Sequence, residues 1–174
     1  MRYFFFLSLP LYLLDQVTKY LIVANFPNPY VEPARSPIEV IPGFFNIVRV
    51  HNTGMAFGKF NGSAYANIAF GIIAISALIA ITVLWRKNAF PTRSGKVAAA
   101  LLVSGILGNF TDRILPGRGY VVDFLDFQFG HWHYPSFNVA DSCICIAAAL
   151  LFLSVFQKER AAEPKAKTGD QAAS

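Results

Sequence analysis

Hydrophobic residues run along this chain in four long blocks, residues 3–23, 64–85, 97–115 and 137–156. Each is close to the length of about 20 residues that one helical crossing of a bilayer requires. The second block carries no charge, and the third is apolar as far as Leu107 before it turns polar. The fourth opens as FNVADSCICIAAALLFL (137–153), an apolar run broken by a single aspartate, Asp141. Polar loops join the blocks at 24–63, 86–96 and 116–136, and a charged, Ala-rich tail at 158–174 reads as disordered. The pattern predicts an all-α integral membrane protein of four transmembrane helices, one unit over 1–157. Within the first loop, FFNIVRVHNTGMAFGKF (44–60) alternates partially between apolar and polar positions and then reaches a Gly-containing turn. That predicts a β-hairpin, a small sheet lying on the membrane surface. Arg2 followed by apolar residues also suits a signal peptide. Asp15 and Lys19 interrupt the stretch and no A-x-A-like site follows clearly, so it is expected to be an uncleaved span.

Composition strengthens the membrane reading. The 174 residues are 55% hydrophobic and 14% charged, against about 25% charged in an average soluble domain. The formal net charge is +5, but the cations do not form the single patch that binding to nucleic acid would need. They collect at the chain ends and in one short loop. Arg2, then Arg86, Lys87, Arg93 and Lys96, then Lys158, Arg160, Lys165 and Lys167 belong on the cytoplasmic side by the positive-inside rule. Both termini are then inside, and the loops 24–63 and 116–136 face outward. The two cysteines, Cys143 and Cys145, diverge by about 200° on a helix, so they cannot bridge each other.

In that orientation the unusual polar residues converge on the outer boundary. A carboxylate in hydrocarbon costs a few kcal/mol even on lenient scales and is rare without a partner or a function. Asp141 lies about 6 Å below the outer end of its helix. The third helix brings Asn109, Asp112 and Arg113 to the same surface in GNFTDR (108–113), with Asn109 and Arg113 sharing one face at i, i+4. The third loop contributes Asp123 and Asp126, and the first loop Asn52. Two neighbouring acids share a proton, one acting as base toward water and the other polarising a carbonyl, which needs neither metal nor cofactor. Spacing alone leaves a second reading open, in which Asp112 pairs with Arg113 or Arg118 and Asp141 with Arg113. Asp15 and Lys19, at i, i+4, read as a structural pair. His131 and His133, in GHWHYP, suit an interfacial aromatic belt better than a metal site.

Five motifs occur in order: LDQVTK (14–19), HNTGMAF (51–57), GNFTDR (108–113), VVDF (121–124) and FNVADS (137–142). Together they resemble the lipoprotein signal peptidases, the type II signal peptidases of bacteria, over nearly the whole chain. The resemblance implies an aspartic endopeptidase whose dyad is Asp123 and Asp141, and it excludes Asp126. It also implies supporting roles for Asp15, Lys19, Asn52, Gly54, Asn109, Asp112, Arg113, Asn138 and Ala140. The implied substrate is a prolipoprotein carrying a diacylglyceryl-modified cysteine, cut on the amino side of that cysteine at the outer face of the bacterial inner membrane. Membrane lipid and the inhibitor globomycin are the other implied partners, and a monomer suffices.

Three rivals make different demands. A proton or ion carrier would use Asp15, Asp112 and Asp141 as a relay, with acids at several depths. A cysteine hydrolase would pair Cys143 with His131 or His133. A scaffold gives polar residues no reason to gather at one surface.

Overall fold

The computed structural model describes residues 2–31, 37–54 and 64–162, and for 64, 65 and 158–162 the backbone only. A π-helical turn, Phe4–Ser8, runs directly into helix α1, Leu9–Asn25. Pro10 supplies the reason: it has no N–H to return to the preceding turn, and the widened turn accommodates that loss. The other helices are α2, Ala64–Arg86, α3, Arg93–Ile114, and α4, Val139–Ala162. Stretches of all four, Phe4–Asn25, Ala66–Arg86, Arg93–Ile114 and Val139–Gln157, are long and apolar enough to cross a membrane. Helix α3 starts at Arg93, before the expected 97, because the Thr92 hydroxyl accepts the Gly95 N–H and caps it. Helix α4 continues through Ala162, beyond the boundary drawn at 157, while the tail from 163 lies outside the described residues.

Helix α3 is the centre of the bundle, and small residues let its neighbours approach. Ala98, Ala99, Ala100, Ser104, Gly105 and Gly108 are buried along it. A Cβ on Gly105 would lie 2.5 Å from the Ala140 carbonyl oxygen; one on Gly108 would lie 2.6 Å from Asp15 Oδ2 and 2.9 Å from Ala140 Cβ. Small residues that permit close backbone approach are what membrane helix contacts use in place of a hydrophobic driving force. Cys143 packs with Ala98, Leu101 and Ala147 in the same contact. Helix α2 buries little and exposes Ile68, Ile72, Ile73, Ile75 and Ile79.

One end of the bundle is closed by an antiparallel sheet of order β1-β2-β3-β4: β1, Ile38–Ile41, β2, Phe45–Asn52, β3, Val121–Phe129, and β4, Trp132–His133. The first loop does form the expected hairpin, β1 paired antiparallel with β2, and its turn lies earlier than the run suggested. The turn joining β1 and β2 holds Gly43, at φ +69°, ahead of the alternating run. The strand on the other side of β2 comes from the third loop, while 55–60, where the return strand was expected, lie outside the described residues. VVDFLDFQF hides its strand character because Val121, Val122, Asp123 and Phe124 are all buried. A strand covered on both faces loses the alternation that marks a half-exposed one. The far face of the sheet forms a small core of Val122 and Phe124 against Ile22 and Phe26 at the end of α1.

Candidate active site

The site is assembled where β3 meets the start of α4. Phe137 pairs with Leu125 in an isolated bridge, its N–H donating to the Leu125 carbonyl at 3.1 Å. This lays Asn138 beside Asp123, and the Asn138 Nδ2 donates to Asp123 Oδ1 at 2.7 Å. Asn138 also caps α4. Its Oδ1 accepts the Asp141 N–H at 2.9 Å, and Asp141 Oδ2 accepts the Asn138 N–H at 3.3 Å. That reciprocal pair is a capping box written with Asn and Asp, a signal present in the letters N-V-A-D that the sequence reading did not use. It holds Asp141 at the helix mouth while the same Asn138 holds Asp123.

A second amide ties the acids to the bundle. Asn109 Nδ2 donates to Asp141 Oδ1 at 2.7 Å, and its Oδ1 accepts from Lys19 Nζ at 3.0 Å and from Asn138 Nδ2 at 3.3 Å. Lys19 is a donor only, so it fixes which end of the Asn109 amide faces Asp141. The lysine is fully buried, and its other contacts are Asp15 Oδ2 at 2.9 Å and Asp112 Oδ2 at 3.0 Å. Asp15 Oδ1 accepts the Ala140 N–H at 2.8 Å, a further cap on α4. Asp112 accepts from Arg118 at 2.6 Å and from the Val122 N–H at 3.2 Å, which pins the start of β3. Two acids and two bases thus offset one another where a lone buried charge would be costly. Asp15 and Lys19 form the structural pair expected of them. Asp112 takes Arg118 of its two candidates, and its second partner is the unforeseen Lys19.

Asn52 completes the surround of Asp123, donating from Nδ2 to Oδ2 at 2.9 Å. Its own Oδ1 accepts the Gly54 N–H at 2.8 Å, which orients the amide. Gly54 has φ +94°, and a Cβ there would collide with the Phe70 ring. Burial is the main cause that pushes Asp123 up to about 7, with the nearby charge of Asp141 second; the amides of Asn52 and Asn138 oppose the shift. His51, the neighbour of Asn52, is pushed down to about 4 by burial and by the charges of Arg49 and Arg118, so it stays neutral near pH 7. It stacks on Tyr120 with ring centroids 3.7 Å apart and accepts from Arg49 Nε at 2.9 Å.

Arg113 departs from its expected pairing. Among the described residues it makes no ion pair with Asp141. Its Nη1 donates to the Asn109 carbonyl at 3.1 Å, and its guanidinium lies 4.6 Å from the Phe70 ring centroid. Asp126 is three residues from Asp123 and therefore on the opposite face of β3. It is engaged by Asn46 Nδ2 at 3.0 Å and His133 Nδ1 at 3.3 Å. Cys143 is buried in the helix contact and Cys145 is exposed, and both are free thiols.

Two grooves meet at the acids and share Pro135 and Ser136. One, of about 640 Å³, includes Asp141 and is walled by Phe44, Phe127, Phe129, Phe137 and Ile146. The other, of about 600 Å³, includes Asp123 with Asn52, Thr53, Phe70 and Arg113. Gln16, which donates to Asp15 and to the Gly108 carbonyl, and Arg118 were not singled out as site residues from the sequence.

Four spanning helices, capped by a sheet that carries one carboxylate toward a second at a helix mouth, define a multi-pass membrane protein with an acid-lined site. The sequence model of a family described as signal peptidase (SPase) II matches residues 7–157. A lipoprotein signal peptidase of Symbiobacterium thermophilum is 38% identical over 84% of this chain and 89% of its own length. One from Alteromonas mediterranea is 38% identical over 94% and 88%. A solved bacterial membrane enzyme, determined by the in meso method at 2.3 Å, superposes with a TM-score of 0.75 at 32% identity over 98% of this chain and 94% of its own. The chain belongs to the signal peptidase II family, the lipoprotein signal peptidases, which are peptidases that remove signal peptides from prolipoproteins.

Proposed function

We propose that the protein is an aspartic endopeptidase, with Asp123 and Asp141 as its dyad, that cuts prolipoproteins on the amino side of a diacylglyceryl-modified cysteine. The observation that carries this reading is Asn138, one side chain that binds Asp123 while its capping exchange holds Asp141. Asp141 acts as base and takes a proton from the attacking water. Asp123, raised to about 7, carries the shared proton and gives it to the scissile carbonyl oxygen as the new C–O bond forms. Collapse of the tetrahedral intermediate breaks the C–N bond, the proton taken from water passes from Asp141 to the leaving amine of the cysteine, and Asp123 recovers its proton from the hydroxyl it had protonated. The products are a signal peptide ending in a carboxylate and a lipidated cysteine with a free amino group.

The neighbouring residues support this chemistry by position. Asn109, Asn138 and Asn52 hold the carboxylates. Asp15, Lys19, Asp112 and Ala140 hold the backbone that presents them. Gly54 gives room to Phe70, and Arg113 faces the groove of the peptide chain. The aromatic groove beside Asp141 suits the acyl chains of the modified cysteine. The mixed groove beside Asp123 suits polypeptide backbone, and globomycin would compete there. On this reading the enzyme works in the inner membrane of a bacterial cell, with the dyad at the outer face.

The test is single-turnover cleavage of a diacylglyceryl prepeptide in micelles by Asp123→Asn, Asp141→Asn, the double variant and Asp126→Asn. Each dyad variant is expected to lose about 10²–10⁴-fold, the worth of a general acid or base. The double should be little worse than either single, because the groups act as one unit. Asp126→Asn should keep substantial activity. Retention of more than about a tenth of the rate by both dyad singles would contradict the aspartic mechanism.

A further inference from the structure

At the end of the bundle away from the sheet lies a second cavity that the peptidase chemistry does not use. It has a volume of about 300 Å³ and is walled by Phe4, Leu78, Ile81, Trp85 and Val103, with Arg86 on its rim. It sits between the π-helical turn that opens the chain, α2 and α3. Its walls are apolar apart from Thr82 and Arg86, and α2, which supplies most of them, buries almost none of its surface. In a membrane, such a groove is filled by hydrocarbon rather than water.

Its rim is cationic. Tyr3 lies 6.3 Å from Trp85, ring centroid to ring centroid, the Arg2 guanidinium lies 5.4 Å from the Tyr3 ring centroid, and Arg93 is close enough to act on the Tyr3 hydroxyl. Arg2, Arg86 and Arg93 are all exposed and make no ion pair among the described residues. The described carboxylates nearest in sequence, Asp15 and Asp112, belong to the network at the other end. Trp85 itself packs on Phe4, at 4.6 Å, and on Phe90, at 6.2 Å, so it forms a rigid amphipathic wall at the depth where an acyl chain meets its headgroup.

We infer that this groove is a binding site for an anionic glycerophospholipid, one acyl chain lying against Trp85 and Ile81 and the phosphate headgroup held by Arg86 with Arg2 and Arg93. The charge complementarity selects the occupant. A zwitterionic lipid gains the same apolar contact but carries its own cation into an arginine cluster, and a second protein chain would need acids to match it. The site lies far from the dyad and does not depend on the proposed mechanism.

The chain has two tryptophans, so Trp132→Phe leaves Trp85 as the reporter. The full-length Trp132→Phe protein is reconstituted in phosphatidylcholine vesicles, and fluorescence quenching is titrated with dibrominated phosphatidylglycerol and, separately, dibrominated phosphatidylcholine. Trp85 should be quenched at lower mole fraction by the acidic lipid, with a preference of about fivefold for each arginine engaged, the effect of one cation at an acidic lipid surface. Arg86→Gln should reduce the preference, and Arg2→Gln/Arg86→Gln/Arg93→Gln should abolish it, with prepeptide cleavage kept as the sign of folding. Trp85→Phe, reporting from Trp132 at the opposite end, should show less preference than Trp85. Equal quenching by both lipids would mean an ordinary lipid-facing groove and would overturn the site. So would protection of Trp85 from both lipids, which would mean a protein neighbour covers the groove, or a preference that survives loss of all three arginines.

Discussion

At the scale of single residues the site is decided by which group lacks a counter-ion. Lys19 meets two carboxylates and an amide, and Asp112 meets two cations, but Asp123 is bound only by amides among the described side chains. Its raised value of about 7, against 3.8 for an ordinary carboxyl, links folding to pH with a defined sign. The folded protein keeps this proton to higher pH than the unfolded chain does. Its contribution to stability is therefore fully present below about 4, declines as pH rises toward 7, and is lost above that. Asp123→Asn removes the titration, so its thermal midpoint in detergent should gain on wild type between pH 4 and pH 7 and hold a constant lead above. A difference that does not vary with pH would remove the case for a raised Asp123. Lys19→Met is expected to act in the opposite direction. It strands Asp15 and Asp112 and releases Asn109, and breaking a buried charge network of this kind costs about 3–5 kcal/mol. Folded yield measured by size-exclusion chromatography should fall sharply, and wild-type yield with a wild-type midpoint would contradict the network.

At the scale of elements, what could be read from sequence depended on how each element is covered. The four helices were legible because a bilayer demands an apolar length, which the letters show directly. Asp15 with Lys19 was legible because helical periodicity puts i and i+4 on one face. β3 was not, because Val121 through Phe124 are buried on both sides and show no alternation. Nor was the reach of Lys19 to Asp112, a contact between α1 and α3 that no local pattern encodes. The proposed dyad rests on resemblance rather than on spacing, which could not separate Asp123 from Asp126. The strand separates them by its pleat, since residues three apart point to opposite faces. The α3–α4 contact offers a test at this scale. Gly108→Ala puts a methyl within 2.6 Å of Asp15 Oδ2 and 2.9 Å of Ala140 Cβ, whereas Gly117→Ala meets nothing within 4 Å and bears only the cost of its φ of +75°. Gly108→Ala should lower the thermal midpoint further and also slow cleavage, because Asp15 and Ala140 hold the helix mouth that carries Asp141. Equal midpoints for the two variants would mean that the helices can move apart freely.

At the scale of the whole molecule, the two ends of the bundle differ in how their cations are used. Near the sheet, Lys19 and Arg118 are held by acids, Arg49 donates to the carbonyls of Val23 and Phe26 at the end of α1, and Arg113 lies over Phe70. At the far end Arg2, Arg86 and Arg93 have no acid among the described residues, and Lys87 and Lys96 add to them in sequence. Free cations near the ends of spans are what orients a membrane protein, so the asymmetry in structure is larger than the asymmetry in count. The far end should face the cytoplasm, with both termini, and the sheet, Asp123 and Asp141 should face out. Under the proposed function, that placement is also the one in which a substrate anchored by its acyl chains and its signal helix would present its cleavage point at the depth of Asp141. Alkaline phosphatase, which is active only outside the cytoplasm, should be inactive when fused after Gln157 and active when inserted in the turn at Gly130. Changing Arg86, Lys87, Arg93 and Lys96 together to Gln should weaken this contrast, because it removes four of the nine cations that set it. An active fusion after Gln157 in the unaltered chain would invert the orientation and put Asp123 and Asp141 on the cytoplasmic side, where a lipoprotein precursor exported across the membrane could not meet them.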